Sequence, residues 1–143
     1  MEFDPENHIV RLCAEGMELE LKQEFTETGK LFAKAWNNAT NDLEKFIAAH
    51  YVARHQESVT DKLKWDETAL AFALQIRYSG MQAHYPSLYL NIAKCYEDLN
   101  DISNAKNNYQ LALSYSKYLP DNGYGQIILS GIRNGIERLS GTH

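Results

Sequence analysis

Apolar residues recur along most of this chain at steps of three and four, the spacing that gathers them on one side of a helix with 3.6 residues per turn. Residues 86–119 show it most clearly. Tyr89, Ile92, Ala93 and Tyr96 make one stripe, and Ala105, Tyr109, Ala112 and Tyr115 make a second. Between them, Leu99-Asn100-Asp101 supplies turn-forming Asn and Asp. The pattern predicts two helices joined by a tight turn. The small Ala93 and Ala105 sit where the axes cross, and aromatics fill the space one turn away.

The rest of the chain reads the same way. Asp4-Pro5-Glu6 predicts a helix start, with Asp as N-cap and Pro at the first helical position. Ile9, Leu12, Gly16 and Leu19 continue it. A break near residues 23–25 and an N-cap at Thr26-Glu27 introduce a second helix carrying Thr28, Leu31, Phe32, Ala35 and Trp36. Thr40-Asn41-Asp42 followed by Glu44 is a capping signature. It opens a helix from 42 to about 56 with Leu43, Phe46, Ile47, Ala49, Val52 and Ala53 apolar. After Ser58-Val59-Thr60, a helix over 61–78 turns Leu63, Leu70, Ala73, Leu74 and Ile76 inward, with Ser79-Gly80 as its C-cap. The residues around 80–85 are expected to lengthen the helices there, and Pro86 to lie in a first turn or at a kink. The loop Pro120-Asp121-Asn122-Gly123 precedes a last helix, 124–139, with Ile128, Ile132, Ile136 and Leu139 as its stripe. Gly131 and Gly135 give it a flat face for close packing, and residues 140–143 are expected to fray. No stretch alternates with the period of two that marks a strand.

Within residues 86–119 the residue types resemble a tetratricopeptide repeat (TPR), a helix-turn-helix unit of about 34 residues. That pattern has a large aromatic, then Asn, Leu and a small residue, then Tyr. Here these are Tyr89, Asn91, Ile92, Ala93 and Tyr96, followed by Ala105, Tyr109 and Ala112. The pattern's final proline is absent at Lys117; Pro120 comes three residues later. The same spacing returns upstream. With Phe32 and Ala35 laid on Tyr109 and Ala112, Gly16 falls on Ala93, because 93 − 16 and 109 − 32 are both 77. Leu19 then falls on Tyr96 and Thr28 on Ala105. The resemblance implies an all-α, α-α superhelix of about three TPR-like hairpins, near 5–39, 42–78 and 82–118, with a C-terminal capping helix near 124–139. That makes about seven helices in a single domain over 1–143. The middle hairpin is placed by position and helix pairing, without a TPR signature of its own.

Composition sharpens this picture. A chain of 143 residues, 44% hydrophobic and 23% charged, suits one ordinary globular domain. Its net charge of −5, without a Lys/Arg cluster, argues against nucleic acid as partner. No apolar run approaches a membrane span, which needs about 18 residues, and the first residues lack the apolar core of a signal peptide. Cys13 and Cys95 are far apart and form no metal-ligand or disulfide framework, so a reducing, cytoplasmic setting is expected.

The densest polar group is His50-Tyr51-Val52-Ala53-Arg54-His55-Gln56. His50 and Arg54 lie four apart on one helical face. By the resemblance they belong to the first helix of the middle hairpin, on the concave side, where TPR stacks hold ligands. Arg54 could fork onto a carboxylate or phosphate. The blander reading is a polar stripe that bonds neighbouring helices. By the resemblance Asn91, Lys94, Glu97 and Asp98 fall at or beside groove positions of the third hairpin, with a solvated face as the blander reading of Lys94 and Glu97. Asn91 matches an asparagine of the TPRs that clamp a C-terminal carboxylate, but the first repeat offers Cys13 and Met17 where that clamp continues. The Tyr-rich set Tyr89, Tyr96, Tyr109, Tyr115 and Tyr118 is expected to be mostly core. No metal and no cofactor is implied: His50 and His55 are five apart, on different sides of the helix, with no third ligand. The expected function is a non-catalytic module that binds a protein or peptide segment in the concave groove, through His50, Arg54, Asn91 and Lys94. The competing reading is an enzyme or enzyme accessory using His50 and Arg54 as acid/base and anion-holding groups. Its nucleic-acid methyltransferase version would need a glycine-rich loop after a strand, and none is present. Self-association, as a homo-oligomer, is a third reading.

Overall fold

The periodicity becomes seven α-helices among the described residues, 3–141 of the computed structural model: α1 (His8–Leu21), α2 (Phe25–Asn38), α3 (Asp42–Arg54), α4 (Val59–Gln75), α5 (Tyr85–Asp98), α6 (Ile102–Ser114) and α7 (Gly123–Leu139). Single 3-10 turns lie at Met81–His84 and Ser116–Tyr118, and no strand occurs among the described residues. The expected fraying at 142 and 143 lies outside them. Consecutive helices pair as α1 with α2, α3 with α4, and α5 with α6; α7 packs on α5 and α6. The contacts divide the chain into two compact units, one ending at Ile76 and the other beginning at Arg77.

In the first unit the crossing of α1 and α2 is set by Gly16 and Phe32. The Phe32 ring is fully buried and lies where a Cβ on Gly16 would have to sit. Ile9, Leu12 and Cys13 line the same side of α1, and Thr28 and Ala35 that of α2. α3 is buried over four consecutive residues, Phe46 to Ala49, because it packs against α1, α2 and α4. Trp36 of α2 meets Trp65 edge to face at 4.9 Å and Phe72 at 6.0 Å, both from α4. Lys45 covers its ring at 4.1 Å.

In the second unit Ala93, Ala105, Tyr109 and Ala112 are fully buried, as their spacing predicts, together with Ile132 of α7. Gly135 gives α7 its close approach, since a Cβ there would collide with the Tyr109 ring. Of the Tyr-rich set only Tyr109 is fully buried. Tyr89, Tyr96 and Tyr115 are half-buried and Tyr118 is exposed. Tyr115 stacks on Tyr89 at 5.8 Å and receives the edge of Tyr85 at 5.1 Å.

The two hairpins α1–α2 and α5–α6 are copies at the backbone level. Residue 8 plus 77 is 85, and residue 21 plus 77 is 98, so α1 and α5 share their bounds. Gln23 (φ 61°) and Asn100 (φ 62°) both take the left-handed conformation. Glu24 N donates to Leu19 O at 2.9 Å, and Asp101 N to Tyr96 O at 2.8 Å. Gln23 N donates to Glu20 O, and Asn100 N to Glu97 O. This is the Schellman ending, in which the amide of a left-handed residue and the amide after it satisfy the last helical carbonyls.

Several boundaries differ from the sequence reading, each for a local reason. Pro5 sits in a turn: Asp4 accepts from the Glu6 and Asn7 amides, and Asn7 is the N-cap, its Oδ1 accepting from Ile9 N at 2.8 Å. Asp-Pro starts turns as readily as helices. α2 begins after Glu24, not at Thr26-Glu27, because the Schellman turn delivers the chain directly into it. α3 stops at Arg54. α4 runs from the Ser58 N-cap to Gln75, where Ile76 turns extended (ψ 125°). Its buried positions are Leu63, Asp66, Ala69 and Ala73, while Leu74 is exposed. Ser79-Gly80 therefore caps no helix. The extra residues form a separate link and 3-10 turn instead of longer helices. Pro86 lies in the first turn of α5.

Candidate functional site

Capping chemistry fixes the ends of the helices that carry the candidate residues. The Asn41 side chain caps α3 by accepting from Glu44 N at 2.9 Å. Glu44 turns back so that one oxygen accepts from the Thr40 amide (3.0 Å) and hydroxyl (3.1 Å). Its other oxygen accepts from Asn7 Nδ2 at 2.9 Å. Asn7 caps α1, so one carboxylate joins the starts of α1 and α3. These bonds, that from Asn7 first, lower the Glu44 pKa. At the far end Glu20 of α1 accepts from Arg54 Nη2 at 2.6 Å and lies 2.8 Å from His55 Nε2. The two helices therefore run parallel, tied at both ends.

Of the four predicted contact residues, His50 and Arg54 come together on α3, and Asn91 and Lys94 on α5. His50 is half-buried, its ring edge-on to Tyr51 at 5.5 Å. Arg54 is exposed yet committed to Glu20. The bond from Arg54, ahead of that from His55, holds the Glu20 carboxyl below its usual range. Asn91 is half-buried and Lys94 exposed. The Cys13 thiol, placed by the sequence reading near the groove, is buried, and burial pushes its pKa up to about 12. Such a thiol is inert as a nucleophile at neutral pH.

A second polar cluster centres on Glu97, which the sequence reading placed beside the groove or on a solvated face without its partners Tyr109 and Arg138. Glu97 of α5 accepts from Arg138 Nε at 2.9 Å, from Arg138 Nη2 at 3.0 Å and from the Tyr109 hydroxyl at 2.6 Å. The Arg138 fork lowers the Glu97 pKa most, and burial with the Glu97 bond raises that of Tyr109. The signal was present: Glu97 lies 77 residues after Glu20, and each carboxylate holds an arginine of the helix that follows its hairpin. The repeated arrangement identifies Arg54 and Arg138 as ties between helices. Asp66, buried beside Lys62 at 2.7 Å, was also missed, because a scan for apolar spacing passes over a carboxylate.

Among the described residues no group of three His, Cys, Asp or Glu is placed to hold a metal ion. No helix of the described residues is long and apolar enough to cross a membrane. Two shallow depressions lie in the second unit. One, of about 330 Å³, is lined by Lys106, Gln110, Ile136, Leu139 and Ser140. The other runs along α7 past Gln126, Ile127, Gly131 and Asn134. Comparison of the chain with known protein families, with characterised proteins and with solved structures gives no match.

Proposed function

We propose that the chain is a TPR-like helical-repeat module without catalytic activity of its own, which binds a protein or peptide segment on the faces lined by the first helices of its hairpins. The observation that carries this reading is the hairpin repeated 77 residues apart with the same Schellman turn, beside the TPR-type residues of α5 and α6. Repeats of this kind leave one face of each first helix open to a ligand. His50 on α3, and Asn91 and Lys94 on α5, are the proposed contacts. Arg54 contributes through its exposed share while chiefly holding α3 to α1. Two buried, unbridged cysteines fit a reducing, cytoplasmic setting.

The test is affinity capture from the native host with wild type beside His50→Ala/Lys94→Ala. The expected result is loss of the captured protein with an unchanged melting temperature. Identical capture by both forms would remove these residues from the binding face. Arg54→Ala should differ from that pair by lowering stability, by about 1 kcal/mol, because Glu20 loses a charged donor.

A further inference from the structure

α1 carries a second apolar stripe beside the one that lies in its core. The core side of the helix is Ile9, Leu12, Cys13 and Gly16. Val10, Ala14, Met17 and Leu21 follow at steps of four, three and four, the spacing of a helix-pairing seam. Val10 is half-buried and Ala14 exposed. Met17 is 37% exposed and Leu21 85% exposed. α5 has the same bounds and the same turn, and at the four equivalent places it has Ser87, Asn91, Lys94 and Asp98. The hairpin backbone therefore does not require apolar residues there.

We propose that this stripe is the seam of a homodimer, in which a second copy lays its own α1 antiparallel across it. The choice of occupant rests on self-complementarity. A two-fold axis passing between Glu15 and Gly16 sets Val10 opposite the partner's Leu21, and Ala14 opposite the partner's Met17. Each layer then matches a smaller side chain with a larger one, which fills the space evenly. The exposed Arg11 and Glu18 each follow a seam residue on one flank. Antiparallel pairing brings Arg11 to the partner's Glu18, and Glu18 to the partner's Arg11, giving two opposite-charge contacts. Parallel pairing would instead set Ala14 on the partner's Ala14 and leave a gap in the middle of the seam. The seam is short, about 16 Å from Val10 to Leu21, so the dimer is weak and forms with rising concentration.

Sedimentation equilibrium of the full chain from micromolar to millimolar concentration tests this. Wild type should show a monomer–dimer equilibrium. Met17→Lys/Leu21→Asp, which copies the residues of α5, should keep its helical circular dichroism and raise the dissociation constant by roughly tenfold or more. Arg11→Glu and Glu18→Arg should each weaken the dimer, and the two together should restore it. A chain monomeric at every concentration, a dimer that survives Met17→Lys/Leu21→Asp, or an Arg11→Glu/Glu18→Arg double variant that stays monomeric would overturn the proposal. So would a monomer whose Leu21 instead takes up an added Leu/Lys amphipathic peptide. His50→Ala should leave the equilibrium unchanged, which separates this outcome from the fate of the ligand-binding reading.

Discussion

Glycine shows how neighbours decide the sign of one substitution. Alanine is the better helix former by about 1 kcal/mol. At Gly29 an added Cβ would meet nothing within 4 Å, so Gly29→Ala should stabilise the protein by about 0.5 to 1 kcal/mol in urea unfolding. At Gly16 and Gly135 the same methyl would enter the buried rings of Phe32 and Tyr109. Gly16→Ala and Gly135→Ala should therefore each cost about 1 to 3 kcal/mol, the overpacking penalty outweighing the propensity gain. The left-handed turn residues give the converse case. Gln23 has φ 61° and carries a side chain that resists this conformation, so Gln23→Gly should stabilise by about 1 kcal/mol. Asn100→Gly should gain less, since Asn tolerates the conformation better. Asn100 was legible as a turn from its residue type. At Gln23 the sequence shows a break but no residue type that favours the left-handed conformation, and that is why the start of α2 was placed too late.

Between elements, what matters is the carboxylate at the penultimate place of a hairpin's first helix. Glu20 and Glu97 occupy it, and each grips the helix that follows its hairpin. Arg138→Ala should cost about 1 to 2 kcal/mol in thermal or urea unfolding, because it leaves Glu97 and the Tyr109 hydroxyl short of a forked donor. Lys30→Ala should change almost nothing, since Lys30 and Glu27 pair in open solvent. Arg54 and Arg138 also align α3 with α7. Buried Phe46, Ala49 and Ala53 of α3 then correspond to exposed Ser130, Arg133 and Glu137 of α7. α3 is covered by α4, whereas no helix follows α7 among the described residues. At these places its surface is polar where that of α3 is apolar, while Ile127, one turn before Ser130, is 72% exposed.

For the molecule as a whole, the shifted groups act together with pH. Hydrogen bonds from Arg54, Asn7 and Arg138 are the leading causes that lower the pKa of Glu20, Glu44 and Glu97 from the ordinary 4.5. The folded protein thus binds these protons less tightly than the unfolded chain. Their contribution is present above about pH 4.5 and is lost as pH falls through the depressed values. His84, lowered from 6.5 chiefly by burial, acts with the same sign, because the folded state resists charging it. The urea midpoint should therefore fall as the solution is acidified from neutral pH, most steeply in the carboxylate range. In Glu20→Gln/Glu97→Gln that steep part should flatten.

By itself the sequence determined the all-helical class, the hairpin of α5 and α6 with its buried Ala93, Ala105, Tyr109 and Ala112, and the 77-residue repeat. These follow from period and side-chain size, which are local quantities. It also placed His50 and Arg54 on one helix, and Asn91 and Lys94 on another. Tertiary structure alone decided that Arg54 answers Glu20, that Glu97 answers Arg138, that Leu74 faces out and Asp66 in, and that Gly80 ends no helix. Each of these depends on what another element brings to within hydrogen-bond or van der Waals distance. Spacing along one helix carries no record of the charge or the ring that will stand across from it.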